Sequence, residues 1–523
     1  MTFKKRPAYA IAPVQQKSLP LLTIILGLLI GCSFLPFFGE TNASLADQPP
    51  ASGALQPAAQ DPAPQTEIIY LPTVITAPQP ATGPLRVLAS NPRYFTDGSG
   101  RAIYLTGSHY WPNFVDDGPT DPPPAFDYEA YLDFLVENQH NFIRLWRAEN
   151  AKGGELGNNY WFSPMPYQRP GPGKAVDGKP KFDLNKFNQA YFDRLRSRVV
   201  AARDRGIYVS IMLFDGWSIE SKRPDHHPWI GHPYNKSNNI NNINGDLNND
   251  GNGEETHWRR IAAVTALQKA YIRKVIDTVN DLDNVLYEIS NESPGGSELW
   301  QYEMINYIKS YEAGKPKQHP VGMTVEYPDG DNAALYASPA DWIAPNGDIN
   351  NPPESDGQKV MLFDSDHFCF PCGDRQWAWK GLTRGGNPIH MDHYDGLSTG
   401  RGAEAAYGHD NPDIVSLRLN LGYARSYAKR MNLAAMTPRG DLCSTDYCLA
   451  NPVATKAEYL VYLPNGGKAT VDLSGASGSL TVEWFNPETG DRLAGGTTNG
   501  GASRSFTAPF SGDAVLYLYQ APN

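Results

Sequence analysis

The chain has 523 residues, a formal net charge of −11, 19% charged residues and 11% aromatic residues. That is room for two or three domains, and the acidic balance excludes the basic face that nucleic-acid binding requires. The 11 Trp and 28 Tyr supply flat apolar platforms of the kind sugars stack on, although aromatic side chains also fill ordinary cores.

Lys4, Lys5, Arg6 and Lys17 precede an uncharged apolar stretch from Leu19 to Phe38, so residues 1–38 have the layout of an export signal. Two readings of this stretch stand. It is long enough to span a bilayer as an uncleaved anchor; alternatively, Leu29-Ile30-Gly31-Cys32 resembles a bacterial lipobox, with Cys32 lipidated. Either one places the remaining chain outside the cytoplasm, tethered to the cell envelope membrane or released. Residues 39–85 are rich in Pro, Ala, Gln and Thr, a composition that gives a stiff solvated spacer. In an exported protein the close pairs Cys369/Cys372 and Cys443/Cys448 read as two local disulfides. A zinc site built from all four is the alternative, but no His spacing accompanies them.

Residues 86–440 read as an α/β domain, a (β/α)8 TIM barrel. An opening hairpin, Arg93-Tyr94-Phe95-Thr96 and Ile103-Tyr104-Leu105-Thr106 around Asp97-Gly98-Ser99-Gly100, runs into His109, Tyr110 and Trp111. Helical segments then alternate with short apolar strands. A helix over Tyr128–Glu137 leads to the strand Asn141–Trp146, and one over Phe187–Arg205 to Ile207–Phe214. Ile261–Leu282 leads to Val285–Glu292, and Leu299–Glu312 to Pro320–Thr324. Val360–Asp364 and Pro388–Asp392 follow and count as the sixth and seventh strands. A doubly wound sheet is the alternative, but no Gly-rich phosphate loop follows any strand. Residues 441–523 change character: alternating apolar strands separated by Gly, Asn and Pro clusters predict an all-β sandwich.

Barrels carry their active sites at the C-terminal ends of strands. This chain places Arg144, Trp146, Asp215, Trp217, Asn291, Glu292, Asp366, His367, Asp392 and Tyr394 there. A carboxylic acid at Glu292 can protonate a glycosidic oxygen, and glycosidases need a second carboxylate across the sugar. Asp392, with Asp395 close behind, supplies it, and Arg144 can keep it ionised. The plainer reading makes Asn291-Glu292 a helix cap and Asp392 a turn residue.

The segments Asn141–Trp146 and Val285–Glu292, together with the late carboxylate, resemble the clan-A retaining glycoside hydrolases, the cellulase-like barrels. The resemblance runs from Pro92 to about Met436. It implies that Glu292 is the acid/base, that Asn291 holds a sugar hydroxyl, that Arg144 supports the nucleophile and that His367 is the sixth-strand histidine. His109, Trp111, Trp146, Trp217 and Tyr394 complete the expected substrate-binding set. Asn91-Pro92-Arg93-Tyr94-Phe95-Thr96-Asp97 and Leu105-Thr106-Gly107-Ser108-His109 further resemble the apiosidase-like branch. Tyr459–Pro464 and Trp484–Gly490 are similar to the small collagen-binding-type domain of those proteins, which here reads as a buttress for the barrel. One departure stands out: the clan uses Glu as nucleophile, whereas this chain has Asp392. That shorter side chain leaves open a nucleophilic Asp395 or an inverting mechanism. It also leaves open a catalytically inactive carbohydrate-binding protein.

Catalysis by two carboxylates needs no cofactor. One structural metal is suggested by Asp246, Asn248, Asp250 and Asn252 with Gly251 at the sixth position, the start of an EF-hand-type calcium loop. The twelfth position is His257, so Glu254 or Glu255 must substitute; otherwise the segment is an Asn-rich polar loop. The combined expectation is an exported glycoside hydrolase acting on an oligosaccharide or polysaccharide.

Overall fold

The computed structural model describes residues 79–154, 157–220, 225–328, 330–369, 373–394 and 409–520. Eight parallel strands form one sheet: β1 (Gly107–His109), β2 (Phe142–Leu145), β3 (Tyr208–Asp215), β4 (Val285–Asn291), β5 (Val321–Thr324), β6 (Trp342–Ala344), β7 (Val360–Asp364) and β8 (Asn387–Met391). Neighbours pair in sequence order from β2 to β8, and β8 returns to β1. The circle closes where Asn141 N–H donates to Thr106 O at 2.9 Å and Asn141 Oδ1 accepts from Thr106 N–H at 3.0 Å. Gly107 permits that approach, since a Cβ there would lie 2.3 Å from Phe142 O. The fold is therefore the eight-stranded barrel the sequence predicts, but the numbering of its late strands differs. Trp342–Ala344 is a strand that the sequence reading passes over, so Val360–Asp364 is the seventh strand and Asn387–Met391 the eighth.

The helices around it follow from the pattern of apolar residues. On α1 (Tyr128–Glu137) the buried residues are Tyr128, Tyr131, Leu132 and Leu135, the i, i+3, i+4, i+7 stripe of a helix facing a core. Asp127 caps it by accepting from Ala130 N–H at 3.1 Å. α2 (Gln189–Asp204), α3 (Ala262–Val279), α4 (Glu298–Glu312) and α5 (Asn332–Ala337) follow between the strands, and two helices near the end matter most below. α6 (Arg375–Thr383) is capped by Asp374, and α7 (Pro412–Arg430) by Asn411 with Pro412 at its first position. Leu85 and Phe95 pack with Phe142, Tyr208, Leu286 and Trp342, so the chain before β1 plugs the N-terminal mouth. The packed structure begins slightly ahead of residue 86, with Ala81 N–H bonded to Arg203 O at 2.8 Å.

The C-terminal domain contributes β9 (Thr437–Pro438), β10 (Cys448–Asn451), β11 (Glu458–Leu463), β12 (Lys468–Asp472), β13 (Ser479–Phe485), β14 (Arg492–Asn499), β15 (Ser503–Thr507) and β16 (Ala514–Tyr519). Six of these form an antiparallel sheet in the order β9-β10-β11-β16-β13-β14, and β12 pairs with β15 as a ribbon. Alternation along β11 sends Tyr459, Val461 and Leu463 into the domain's own core with Ala469 and Val471 of the ribbon. Leu460 and Tyr462 point the other way, onto Trp379 of α6 and Tyr427 of α7. A central sheet buried on both faces explains the nearly continuous apolar run in β11. Polar ties fix the docking: Arg375 pairs with Asp513 at 2.9 Å, and Asn420 Nδ2 donates to Pro487 O at 2.9 Å.

Cys443 and Cys448 are both free and buried, not joined as the spacing suggests. The two sulfurs sit at hydrogen-bonding separation instead. The bond from Cys448 stabilises the Cys443 thiolate, lowers that thiol to about 6 and pushes Cys448 up. Cys369 is disulfide-bonded. Its expected partner Cys372 lies outside the described residues, as do Asp395, Cys32, the export segment and most of the spacer. Among the described residues no helix is long and apolar enough to cross a membrane.

Candidate active site

The centre of the barrel's C-terminal mouth is Arg144 on β2, only 1% exposed. Its Nε donates to Glu288 Oε2 at 2.9 Å and its Nη2 to Glu288 Oε1. Nη1 donates to Asp364 Oδ2 at 2.7 Å, and Nη2 also donates to Asn291 Oδ1 at 2.8 Å. One planar guanidinium thus ties β2 to β4 and β7, the use to which its fixed fork of donors is suited. The second oxygen of Asp364 accepts from His109 Nε2 at 2.9 Å and from Asp366 N–H at 3.0 Å. The indole of Trp146 donates to His109 Nδ1 at 2.8 Å. An indole N–H can only donate, so Nδ1 carries no proton and the N–H of His109 points at Asp364. Burial raises the Asp364 carboxyl, but His109 and Arg144 more than offset it and hold the group below the usual carboxylate range.

Above this layer lie groups with capacity to spare. Asn291 Oδ1 accepts from both Arg144 and His367 Nε2, the latter at 3.1 Å. Two donors on the oxygen fix the amide flip and leave Nδ2 as the donor toward the cleft. Burial lowers His367 to about 3, so its ring is neutral, and its Nδ1 has no partner. Asp366 follows β7 on the helical turn Ser365–Phe368. Its Oδ2 is buried without a hydrogen bond and lies 3.6 Å from Arg144 Nη1. Burial, then repulsion by Glu292 and Asp364, raises the Asp366 carboxyl well above its ordinary value.

Glu292 is half-buried directly after β4, in the left-handed region at φ 43°, a conformation that costs energy for a residue with a Cβ. Gly216 makes room for it, because a Cβ at that position would lie 2.0 Å from Glu292 O. Asp215, at the end of β3, is aligned with Asn291. Burial, against a hydrogen bond from Ser218 and helped by Glu149 and Glu292, pushes Asp215 up to about 7. Glu292, Asp366 and Asp215 are therefore close enough to oppose one another's ionisation. Trp111 and Trp146 meet edge to face at 6.5 Å beside this cluster, and half-buried Trp217 sits on the turn Gly216–Ile219 after β3.

Most of the expected site residues thus converge: Arg144, Asn291, Glu292, His367, His109, Trp111, Trp146 and Trp217. Asp392 and Tyr394 do not. Asp392 is 1% exposed, and both its oxygens are taken by one guanidinium, Arg418 of α7, through Nε at 2.8 Å and through Nη2. Burial opposes its charge, yet Arg418 prevails and Asp392 falls to about 2. It is the closed ion pair that anchors α7 to β8. The ring of Tyr394 packs against Tyr131 and Phe134 of α1, 5.2 and 4.9 Å between centroids, which makes it a packing residue outside the barrel mouth. Trp229 is 2% exposed and lies against Gly245 and Gly253. Among the described residues no group of three or more His, Cys, Asp or Glu side chains is gathered as a metal site.

Glu288 and Asp364 are the network residues that sequence reasoning missed, and Asp366, noted at a strand end, was given no role there. A full count of eight strands points to them, because the carboxylate facing β4 across the mouth belongs to the seventh.

Comparison with known proteins agrees with this architecture. The described strands match the barrel of a glycoside hydrolase family 5 protein from Bacteroides vulgatus at 14% identity and a TM-score of 0.53, covering 84% of this chain and 95% of that one. A second structure, described as a glycoside hydrolase, matches at 13% identity and a TM-score of 0.50, covering 84% and 97%. The fold is that of the family 5 glycoside hydrolases. At these identities the likeness is one of fold, and its coverage extends beyond the barrel into the C-terminal sheet. Residues 156–336 match a family described as "Domain of unknown function (DUF6298)"; that segment contains β3, β4 and Glu292. Residues 444–518 match the "Putative collagen-binding domain of a collagenase". No curated protein matches the chain.

Proposed function

We propose that the chain is a glycoside hydrolase that cleaves O-glycosidic bonds by a retaining mechanism, with Glu292 as acid/base and Asp366 as nucleophile. The observation that carries the reading is the convergence of two carboxylates, from β4 and from the turn after β7, over the Arg144 network. Two like charges held close in a buried site cannot both ionise, so the pair keeps one proton. That is the state a glycosidase needs: one acid to protonate the leaving oxygen and one anion to attack. Burial and repulsion by Glu292 raise the Asp366 carboxyl, and the reaction requires the pair's proton on Glu292 with Asp366 ionised. Arg144, 3.6 Å away, stabilises that anion. Asp364 is 0% exposed and its oxygens accept from His109, Arg144 and the backbone of Asp366, which leaves Asp366 the more open carboxylate. The Nδ2 of Asn291 serves a sugar hydroxyl, and Trp111, Trp146 and Trp217 supply stacking faces.

Azide tests the roles. With Asp366→Gly, azide should restore turnover and give a glycosyl azide of inverted configuration; with Glu292→Ala it should give the retained one. The opposite pair of products would exchange the roles. Tight binding of a glycan by the unsubstituted protein with no hydrolysis across a broad panel would make it a carbohydrate-binding protein instead.

Export rests on the cationic start and apolar stretch of residues 1–38, with an oligosaccharide or polysaccharide as substrate and the envelope membrane as the N-terminal partner. The narrower apiosidase-like reading rests on the motifs around Asn91 and His109. The C-terminal sheet, one face of which is buried on α6 and α7, acts as a buttress.

A further inference from the structure

We propose that the loop Asp246–Glu255 binds a calcium ion and thereby holds the backbone on both sides of Glu292. This stands apart from the hydrolase reading and is tested without it. The loop is wound around its own oxygens: Asp246 Oδ2 accepts from Gly251 N–H at 3.0 Å, with Asn249 at φ 58° and Gly251 at φ 91°. Winding alone does not make a site. Two oxygens do point to a ligand. Glu255 is 2% exposed; its Oε1 accepts from Asn248 N–H at 3.2 Å, which turns the carboxylate toward the loop, and its Oε2 is buried with no donor. Asp246 Oδ1 is likewise buried with no donor. Neither carboxylate forms an ion pair with any described residue. Buried carboxylate oxygens without a proton donor or cation are costly, and a bound cation removes the deficit.

The donor set selects the ion. The candidate donors are the Asp246 and Glu255 carboxylates and the exposed side chains of Asn248 and Asp250, which are tied to each other at 2.8 Å. All-oxygen donors of mixed type suit calcium, which accepts six to eight of them in flexible geometry, whereas zinc and copper favour nitrogen and sulfur. The Asn248 amide is among the candidates, so the site is not a cluster of carboxylates alone.

The connection to Glu292 is short. Glu255 belongs to the turn Glu254–His257. Gly253 N–H donates to Ile219 O at 2.7 Å, on the turn that carries Trp217. His257 Nδ1 lies 3.1 Å from Ser293 Oγ, the residue after Glu292. His257 Nε2 lies 3.8 Å from Glu149 Oε1, which accepts from Asp215 N–H at 2.8 Å. An ion that fixes Glu255 therefore fixes the end of β3 and the end of β4 together.

The test uses the full chain stripped with chelator and then titrated with calcium chloride alone. Isothermal calorimetry should show one site. The melting temperature should rise by several degrees with calcium and by less with magnesium, and Glu255→Gln and Asp246→Asn should each weaken binding at least tenfold. Hydrogen exchange of residues 215–220 and 289–294 should slow on addition of calcium. No calcium binding by the unsubstituted protein, or equal binding by both variants, overturns the site. Binding that leaves exchange at 289–294 unchanged overturns the link to Glu292.

Discussion

Two buried arginines of this barrel each grip an aspartate just past a late strand, and they do opposite things. Arg418 faces Asp392 after β8 as a closed account: one fork, two oxygens, both filled. Arg144 faces Glu288, Asp364 and Asp366, with Glu292 and Asp215 just beyond, so carboxyl groups outnumber the cation. The first arrangement satisfies every charge and leaves nothing for a ligand. The second leaves Asp366 Oδ2 and His367 Nδ1 without partners. A carboxylate's neighbours, more than its place at a strand end, decide whether it stabilises the fold or is available for chemistry.

The largest effect that separates the two should be on turnover. Glu292→Gln is expected to lower kcat by about 10²–10⁴-fold, the range for loss of a general acid or base, while Asp392→Asn leaves kcat per folded molecule within about threefold. Steady-state kinetics on a glycan that the unsubstituted protein hydrolyses decide this. Abolished turnover in well-folded Asp392→Asn would return that residue to the site.

Stability should divide in the other direction. Arg418→Met strands Asp392 as an uncompensated buried charge and should cost about 3–5 kcal/mol in denaturant unfolding. The pair also makes stability depend on pH. Asp392 is depressed from 3.8 to about 2 in the folded state, so its contribution is complete above about pH 4. It is lost as pH falls from there toward about 2, a loss of about 2 kcal/mol. Arg418→Met should flatten that limb of the acid unfolding curve.

Asp215 runs the opposite way. Its folded value is raised from 3.8 to about 7, so the folded state binds the proton more tightly and stability declines as pH rises from about 4 to about 7. Asp215→Asn should therefore raise the melting temperature at pH 8 and change it little at pH 4. Removing a carboxylate from the crowded mouth stabilises; removing one from the closed pair destabilises. A lower melting temperature for Asp215→Asn at pH 8 would break the contrast.

The smallest expected change is Gly216→Ala. A Cβ 2.0 Å from Glu292 O must displace the β4 end, at a cost of about 1–3 kcal/mol. Activity should fall further than stability does, read as kcat against melting temperature, because the displaced residue carries Glu292.

Much of this was legible before the structure. The helix Tyr128–Glu137 was predicted with the bounds it has, since its apolar stripe and Asp127 cap are local signals. Arg144, Asn291, Glu292 and His109 lie at the barrel mouth as expected from sequence, because they sit at the ends of unmistakable strands. The error came at β6. Trp342–Ala344 is three residues long, too short to show a period, and missing it shifted every later strand by one. That slip numbered the strand before Asp392 as the seventh, whereas it is the eighth.

A further signal was present in α7. Ile414, Leu417, Arg418 and Leu421 are all buried on it, so Arg418 occupies an inward position on an apolar stripe and must find an anion there. The sequence by itself determined the barrel, the β domain, the acid end of β4 and the arginine on β2, because each is written in local periodicity and strand ends. Only the tertiary structure decided which aspartate stands free beside Glu292. That choice depends on which buried cation each carboxylate meets, and Arg418 meets Asp392 from a separate helix, 26 residues farther along the chain.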